Sequence, residues 1–156
     1  MLLALVLVAC IGAAIIGGVF FAFSTFVLKA LADLPASHGV AAMQRINVVV
    51  LNPLFLGVFI GTAILAIGCV ALALLSWSMP RSPLLLAAGI LYLMGSFFVT
   101  LAFNVPRNNR LAGLGNATSE AIAYWPVYVA EWSKWNHVRA AASVASAACS
   151  AAALAC

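Results

Sequence analysis

LFLGVFIGTAILAIGCVALALLS, Leu54–Ser76, decides the class of this protein. The stretch holds no charged residue and no proline, and its length matches the roughly 20 apolar residues that carry a helix across a bilayer. Three further stretches qualify: Leu2 to about Leu28, Leu84–Phe103, and about Trp135 to Ala155. The spacing therefore predicts an all-α, integral membrane four-helix bundle, a single domain over residues 1–156 with crossings at about 2–28, 54–76, 84–103 and 135–155. Composition agrees. Hydrophobic residues make up 67% and charged residues 6% of the chain, against about 25% charged in a soluble globule. Segments of about ten alternating residues, as a membrane barrel would need, do not occur.

The first crossing has no Lys or Arg ahead of its apolar run, and that run exceeds the roughly 7–15 residues of a signal-peptide core, so a retained helix is expected. The last crossing is mostly Ala and Ser, a composition suited to packing against other helices rather than to lipid. Close approach is also expected at the Gly57/Gly61 step and at the Ala13/Gly17 and Ala14/Gly18 steps.

The connections are unequal. SMPRSP forms a tight turn between the second and third crossings, whereas residues 29–53 and 104–134 are long and share the other side. Six of the seven basic residues (Lys29, Arg45, Arg107, Arg110, Lys134 and Arg139) belong to that side, which counting places in the cytoplasm. Within residues 36–53, Met43, Ile46 and Val50 recur at helical spacing, predicting either an interfacial helix or a continuation into the second crossing bent at Pro53. VPRNNRLAGLGNATSEA reads as irregular chain; Thr118 or Ser119 can cap a helix through AIAYWPVYVAEW, which Pro126 kinks or splits.

A net charge of +4, from seven Lys or Arg against three Asp or Glu, is too sparse for a nucleic-acid surface and suits lipid headgroups. Cys10, Cys69, Cys149 and Cys156 form no CxxC pair and read as small buried hydrophobes. With His38 and His137 as the only histidines and Asp33, Glu120 and Glu131 as the only carboxylates, a zinc site or facial triad is poorly supplied. No cofactor is expected, although one axial histidine would suffice for a haem iron and leaves haem or a metal open.

What remains is a convergence of polar groups at the helix ends on the long-connection side. Asn52 opens the second crossing, Asn104 closes the third, and Asn136 with Arg139 opens the fourth, flanked by Lys29, Arg107 and Asn108. At about 100° per residue, Trp132, Asn136, Arg139 and Ser143 fall within roughly 60° of one another on one helix stripe, with Trp135 at its flank and His137 rotated about 100° away from Asn136. Polar groups at membrane depth face a bundle interior or water. Cationic arginine, amides, aromatic walls and one histidine suit a small, acidic, flat, apolar ligand. The helix middles are almost unbroken Ala, Leu, Val, Ile and Gly, which disfavours a channel.

The runs GGVFFAFSTFV (17–27), AMQRINVVVLNPLFLGVFIGTA (42–63), YLMGSFFVTLAFNVPRNNRLA (92–112) and YVAEWSKWNHVRAAAS (128–143) give the chain a resemblance to the anthrone oxygenase family over essentially its whole length. The resemblance implies a small four-helix protein of a membrane, here the inner membrane of a bacterium, and a reaction in which an anthrone becomes an anthraquinone with dioxygen and no established organic cofactor. The family pattern falls on Asn47, Asn52, Asn104, Pro106, Asn108, Trp132, Trp135, Asn136, His137 and Arg139. The helix-end cluster and this resemblance together lead to an expected mechanism, whose residue roles the family pattern does not itself give: His137 removes an acidic C–H proton. Arg139 with Asn136 or Asn104 then holds the enolate oxygen, while Trp132 and Trp135 stack on the rings and Arg107, Asn108, Asn52 and Asn47 complete the pocket. The alternative is a membrane protein that binds a quinone, lipid or partner subunit and turns nothing over; a homo-oligomer is left open.

Overall fold

The computed structural model describes residues 2–156, and among them every regular element is helical. Helix α1 runs Leu2–Ala22, passes through a π-helical stretch at Phe23–Val27, and ends with Leu28–Ala32. A short helix α2, Ala36–Val49, follows. Helix α3 spans Pro53–Leu75. Helix α4 spans Ser82–Ala112, with π-helical stretches at Leu91–Phe98 and Thr100–Asn104. Helix α5 covers Ser119–Ala155. Four of these, α1, α3, α4 and α5, are long and apolar enough to cross a membrane.

The crossings are longer than the sequence reading gave them. VPRNNRLA is helical and extends α4 to Ala112 rather than being irregular chain. Pro106 is accommodated because the wider turns just before it already depart from the regular i→i−4 ladder, so its missing N–H costs less there. Helix α5 begins at Ser119, capped by Thr118, whose Oγ1 accepts from Ala121 N at 3.2 Å, and it continues unbroken past Pro126. Its 37 residues at about 1.5 Å each reach roughly 55 Å, well beyond a hydrocarbon core of about 30 Å. The excess forms a helical head on the long-connection side.

Helix α2 is a separate element within that head. Gln44 Nε2 donates to the carbonyls of Leu111, in the last turn of α4, at 2.8 Å and of Leu114, just beyond it, at 2.9 Å, which fastens α2 across the end of α4. Asn52 Oδ1 accepts from Phe55 N at 3.0 Å and caps α3, with Pro53 at the first turn where its missing N–H costs nothing.

Three packed layers stack along the bundle. The head layer holds Leu28, Val40, Met43, Leu111, Trp125, Tyr128 and Trp132. The middle layer holds Ala13, Ile16, Phe20, Phe59, Ala63, Ala66, Tyr92 and Ala140. The far layer holds Val6, Ala9, Cys69, Ala73, Leu85 and Ala153. The α1–α5 pair packs most extensively, as the Ala- and Ser-rich face of α5 permits. Serines replace some apolar contacts: Ser143 Oγ donates to Ser96 Oγ at 2.9 Å, and Ser146 Oγ to the Ala88 carbonyl at 2.8 Å, joining α5 to α4.

Close approach falls on Gly17, one of the glycines the spacing suggested, and on Gly95, which it did not. A Cβ on Gly95 would run into the Cβ of Ala142, and one on Gly17 would lie 3.3 Å from Val144 N. Gly18, Gly57 and Gly61 face open space within the single chain. Helix periodicity fixes which residues share a face but not which face meets a neighbour. Gly95→Ala should therefore destabilise the fold by about 1–3 kcal/mol through overpacking, whereas Gly61→Ala should stay within about 0.5 kcal/mol of the parent. Thermal or denaturant unfolding in detergent checks the pair.

Candidate functional site

A cavity of about 430 Å³ lies where the head meets the membrane-spanning bundle, in the size range of about 300–1,000 Å³ typical of small-molecule sites. Every helix contributes to it. Phe20 and Phe23 come from α1, Met43, Gln44 and Asn47 from α2, Phe55 and Phe59 from α3, Phe97, Thr100, Asn108 and Asn109 from α4, and Trp132 and Arg139 from α5. Most of the wall is aromatic or aliphatic, with a few polar side chains among it.

Arg139 is the polar centre. It is 4% exposed, and its guanidinium lies over two aromatic rings, 4.1 Å from the Phe20 ring centroid and 4.8 Å from that of Trp132. Nη2 donates to Asn136 Oδ1 at 2.7 Å and Nη1 to Thr100 Oγ1 at 3.3 Å, while Nε has no partner. No carboxylate pairs with it; the one ion pair among the described residues joins Arg107 to Glu131. A buried cation without a counter-ion is costly, and neutral dipoles and ring faces offset only part of that cost.

Asn136 holds this arrangement in place. It is fully buried, and its Nδ2 donates to the Phe20 carbonyl at 2.8 Å and to Ser24 Oγ at 2.7 Å. Phe20 lies in the last turn of regular α1 before the π-helical stretch at Phe23–Val27, and its carbonyl accepts this side-chain bond. Thr100 opens the π-helical stretch of α4, returns its own hydroxyl proton to the Ser96 carbonyl at 2.8 Å, and presents its oxygen to Arg139.

A second set braces Trp132. Asn108 Oδ1 accepts from Trp132 Nε1 and from Tyr128 OH, both at 2.9 Å. Tyr128 in turn stacks between Trp125 and Trp132, at centroid distances of 5.7 and 6.4 Å. The indole that lines the cavity is thus fixed in orientation from behind. Trp125 is a buried packing residue, not an exposed interfacial anchor.

Of the ten residues expected at the site, the structure brings Asn47, Asn108, Trp132 and Arg139 to the cavity wall. Asn136 sits directly behind Arg139. The other five stand elsewhere. His137 is exposed on the outer face of α5 and does not line the cavity, because its 100° offset from Asn136 turns it away from the bundle. Trp135 stacks on Phe103 at a centroid distance of 3.5 Å, outside the wall. Arg107 pairs with Glu131 at 2.9 Å and donates to the Phe103 carbonyl at 2.7 Å. Asn52 is occupied as a helix cap. Asn104 is fully buried behind the wall, donating from Nδ2 to the Trp132 carbonyl at 3.2 Å.

The sequence reading missed Thr100, Phe20 and Ser24 as parts of the arginine's surroundings. Thr100 also donates to the Ser96 carbonyl within its own helix, but the contacts of Thr100 with Arg139 and of Ser24 with Asn136 cross between helices and leave no spacing signal. The anthrone oxygenase family model matches residues 52–149, more than half of the chain. The chain belongs to that family. The matched span includes Asn108, Trp132, Asn136 and Arg139 but not Phe20 or Asn47, so part of this cavity's lining lies outside the matched segment. Comparison with curated proteins and with solved structures gives no match.

Removal of the Asn136 side chain would leave Arg139 Nη2, the Phe20 carbonyl and Ser24 with one partner fewer each. Asn136→Ala should lower stability by about 2–4 kcal/mol, and Ser24→Ala, which removes a single acceptor, by about 1 kcal/mol. Unfolding midpoints of the two variants in the same detergent test that ranking.

Proposed function

We propose that this chain is a membrane-embedded oxygenase of the cytoplasmic membrane that binds a flat aromatic enol or phenol as its anion and lets that anion react directly with dioxygen. One observation carries the reading: Arg139, buried and without a carboxylate, faces a cavity walled by aromatic rings. A ligand oxygen bearing negative charge would complete the guanidinium's shell. In a medium of low dielectric that attraction is far stronger than in water, so the anionic form is favoured on binding.

The chemistry follows from the ligand as much as from the protein. An anthrone-type enol gives up its proton to solvent as it docks, and Arg139 holds the resulting oxyanion. Negative charge is delocalised onto the ring carbon opposite the oxygen. That carbon forms a C–O bond with dioxygen, giving a carbon-bound peroxide anion that takes a proton back from solvent to become the hydroperoxide. Loss of the remaining proton on that carbon, with cleavage of the O–O bond and departure of hydroxide, leaves a second C=O. The balance is one CH2 group plus O2 to one C=O plus water. Trp132 and Phe20 supply ring faces, and Asn136 and Thr100 position the guanidinium rather than touch the substrate.

His137 has no part in this scheme, since it is exposed and outside the cavity wall. A binding role without turnover is the second reading, and a specific observation favours it: no Asp, Glu, His or Lys lines the cavity, so no side-chain base faces a ligand there. The lipid bilayer would be the route by which so apolar a ligand arrives, and a homo-oligomer would leave the cavity, formed within one chain, unchanged.

Oxygen consumption by purified protein in lipid nanodiscs, with anthrone as substrate, separates these readings. Arg139→Gln should lower kcat/KM by about 100-fold or more, as loss of a principal oxyanion donor does, while His137→Ala should stay within twofold of the parent. No oxygen uptake by the parent, together with tight anthrone binding, would establish the binding role instead.

A further inference from the structure

Asn47 stands out among the cavity residues because its amide is unanswered. It projects from α2 into the wall, its Nδ2 is buried, and that nitrogen has no hydrogen-bond partner. The Tyr128 hydroxyl is a polar neighbour that interacts with it weakly, but Tyr128 donates its own proton to Asn108 Oδ1 at 2.9 Å and the Asn47 contact falls short of hydrogen-bond geometry. Arg139 Nε is the other buried donor of the wall without a partner. Buried donors left unmade cost about 1–3 kcal/mol each, and native structures seldom keep them. Two such donors on one aromatic cavity, contributed by α2 and α5, ask for a ligand with two acceptor oxygens.

An anthrone-type enol brings only one oxygen. The second appears during the reaction. We propose that Asn47 is the donor for the oxygen that dioxygen delivers, so that the cavity is complementary to the two-oxygen quinone product and to the peroxide that precedes it, rather than to the one-oxygen substrate. Arg139 holds the original oxygen, and the Asn47 amide receives the new one. This rests on the oxygenase reading above and adds to it a second subsite with a defined preference. Hydrogen bonding confined to the oxygenated species is also what raises kcat rather than substrate affinity.

Equilibrium binding needs no turnover and tests the subsite directly. Quenching of intrinsic tryptophan fluorescence would be measured in nanodiscs of one lipid composition with anthraquinone and anthrone as probes, so that partitioning into lipid is common to all variants. The parent should bind anthraquinone more tightly than anthrone. Asn47→Leu should weaken anthraquinone binding about threefold to tenfold with anthrone affinity within twofold, collapsing the ratio between the two probes. Asn47→Asp, nearly isosteric but lacking the donor, should collapse it at least as far and guards against a packing defect in the leucine variant. An unchanged ratio in both variants overturns the proposal, because an amide satisfied by water alone would give that result. Arg139→Gln is the independent arm: if it leaves both affinities unchanged the oxyanion reading fails, whereas the dependence of the ratio on Asn47 can still be read.

Discussion

A guanidinium buried in low-dielectric surroundings without a carboxylate is the constraint around which this protein is organised. Desolvating such a charge costs several kcal/mol even after relaxation, so its neighbours must be dipoles and ring faces of fixed orientation. Asn136 turns its carbonyl oxygen towards Arg139 because its nitrogen is committed to Phe20 O and Ser24 Oγ. Thr100 directs a hydroxyl oxygen the same way because its proton is committed to Ser96 O. Each acceptor is aimed by a donor bond behind it, and the geometry of one charge is thereby spread over three helices.

The departures from regular helix belong to the same design. The π-helical stretches at Phe23–Val27 in α1 and Thr100–Asn104 in α4 lie beside the two side-chain groups that surround Arg139. A wider turn shifts the register of the side chains beyond it. Phe20 O accepts from Asn136, while Phe20's ring stays against the guanidinium. The tight packing one turn beyond Arg139 supplies the rigidity this requires, since Gly95 and Gly17 bring α4 and α1 against Ala142, Ser143 and Val144 of α5.

The cavity itself arises from a mismatch in lengths. Helix α5 outruns the hydrocarbon and builds a head with α2 and the end of α4, whose core of Trp125, Tyr128, Leu111 and Met43 is distinct from the middle layer of Phe20, Phe59 and Tyr92. Between the two layers the packing is incomplete, and the space left is where Arg139, Asn47 and Asn108 meet the aromatic wall. Gln44 closes the head by tying α2 across the end of α4. The family match spans α3, α4 and most of α5, and so contains Asn108, Trp132 and Arg139.

Hydrophobic run length by itself determined the class, because a bilayer admits helices of about 20 apolar residues and little else. Helical periodicity also found the stripe of Trp132, Asn136, Arg139 and Ser143, all four of them buried, and it already turned His137 off that stripe. The Asn52-Pro53 step carried a legible cap signal, and weighting it would have removed Asn52 from the candidate site. Tertiary structure alone decided the rest. Which glycine meets a helix, whether Asn104 faces the hollow or is sealed behind it, and that Thr100 and Phe20 surround the arginine all depend on how helices rotate and approach. Those choices are made by side chains distant in sequence, such as Phe20 and Asn136, whose pairing leaves no trace in local spacing.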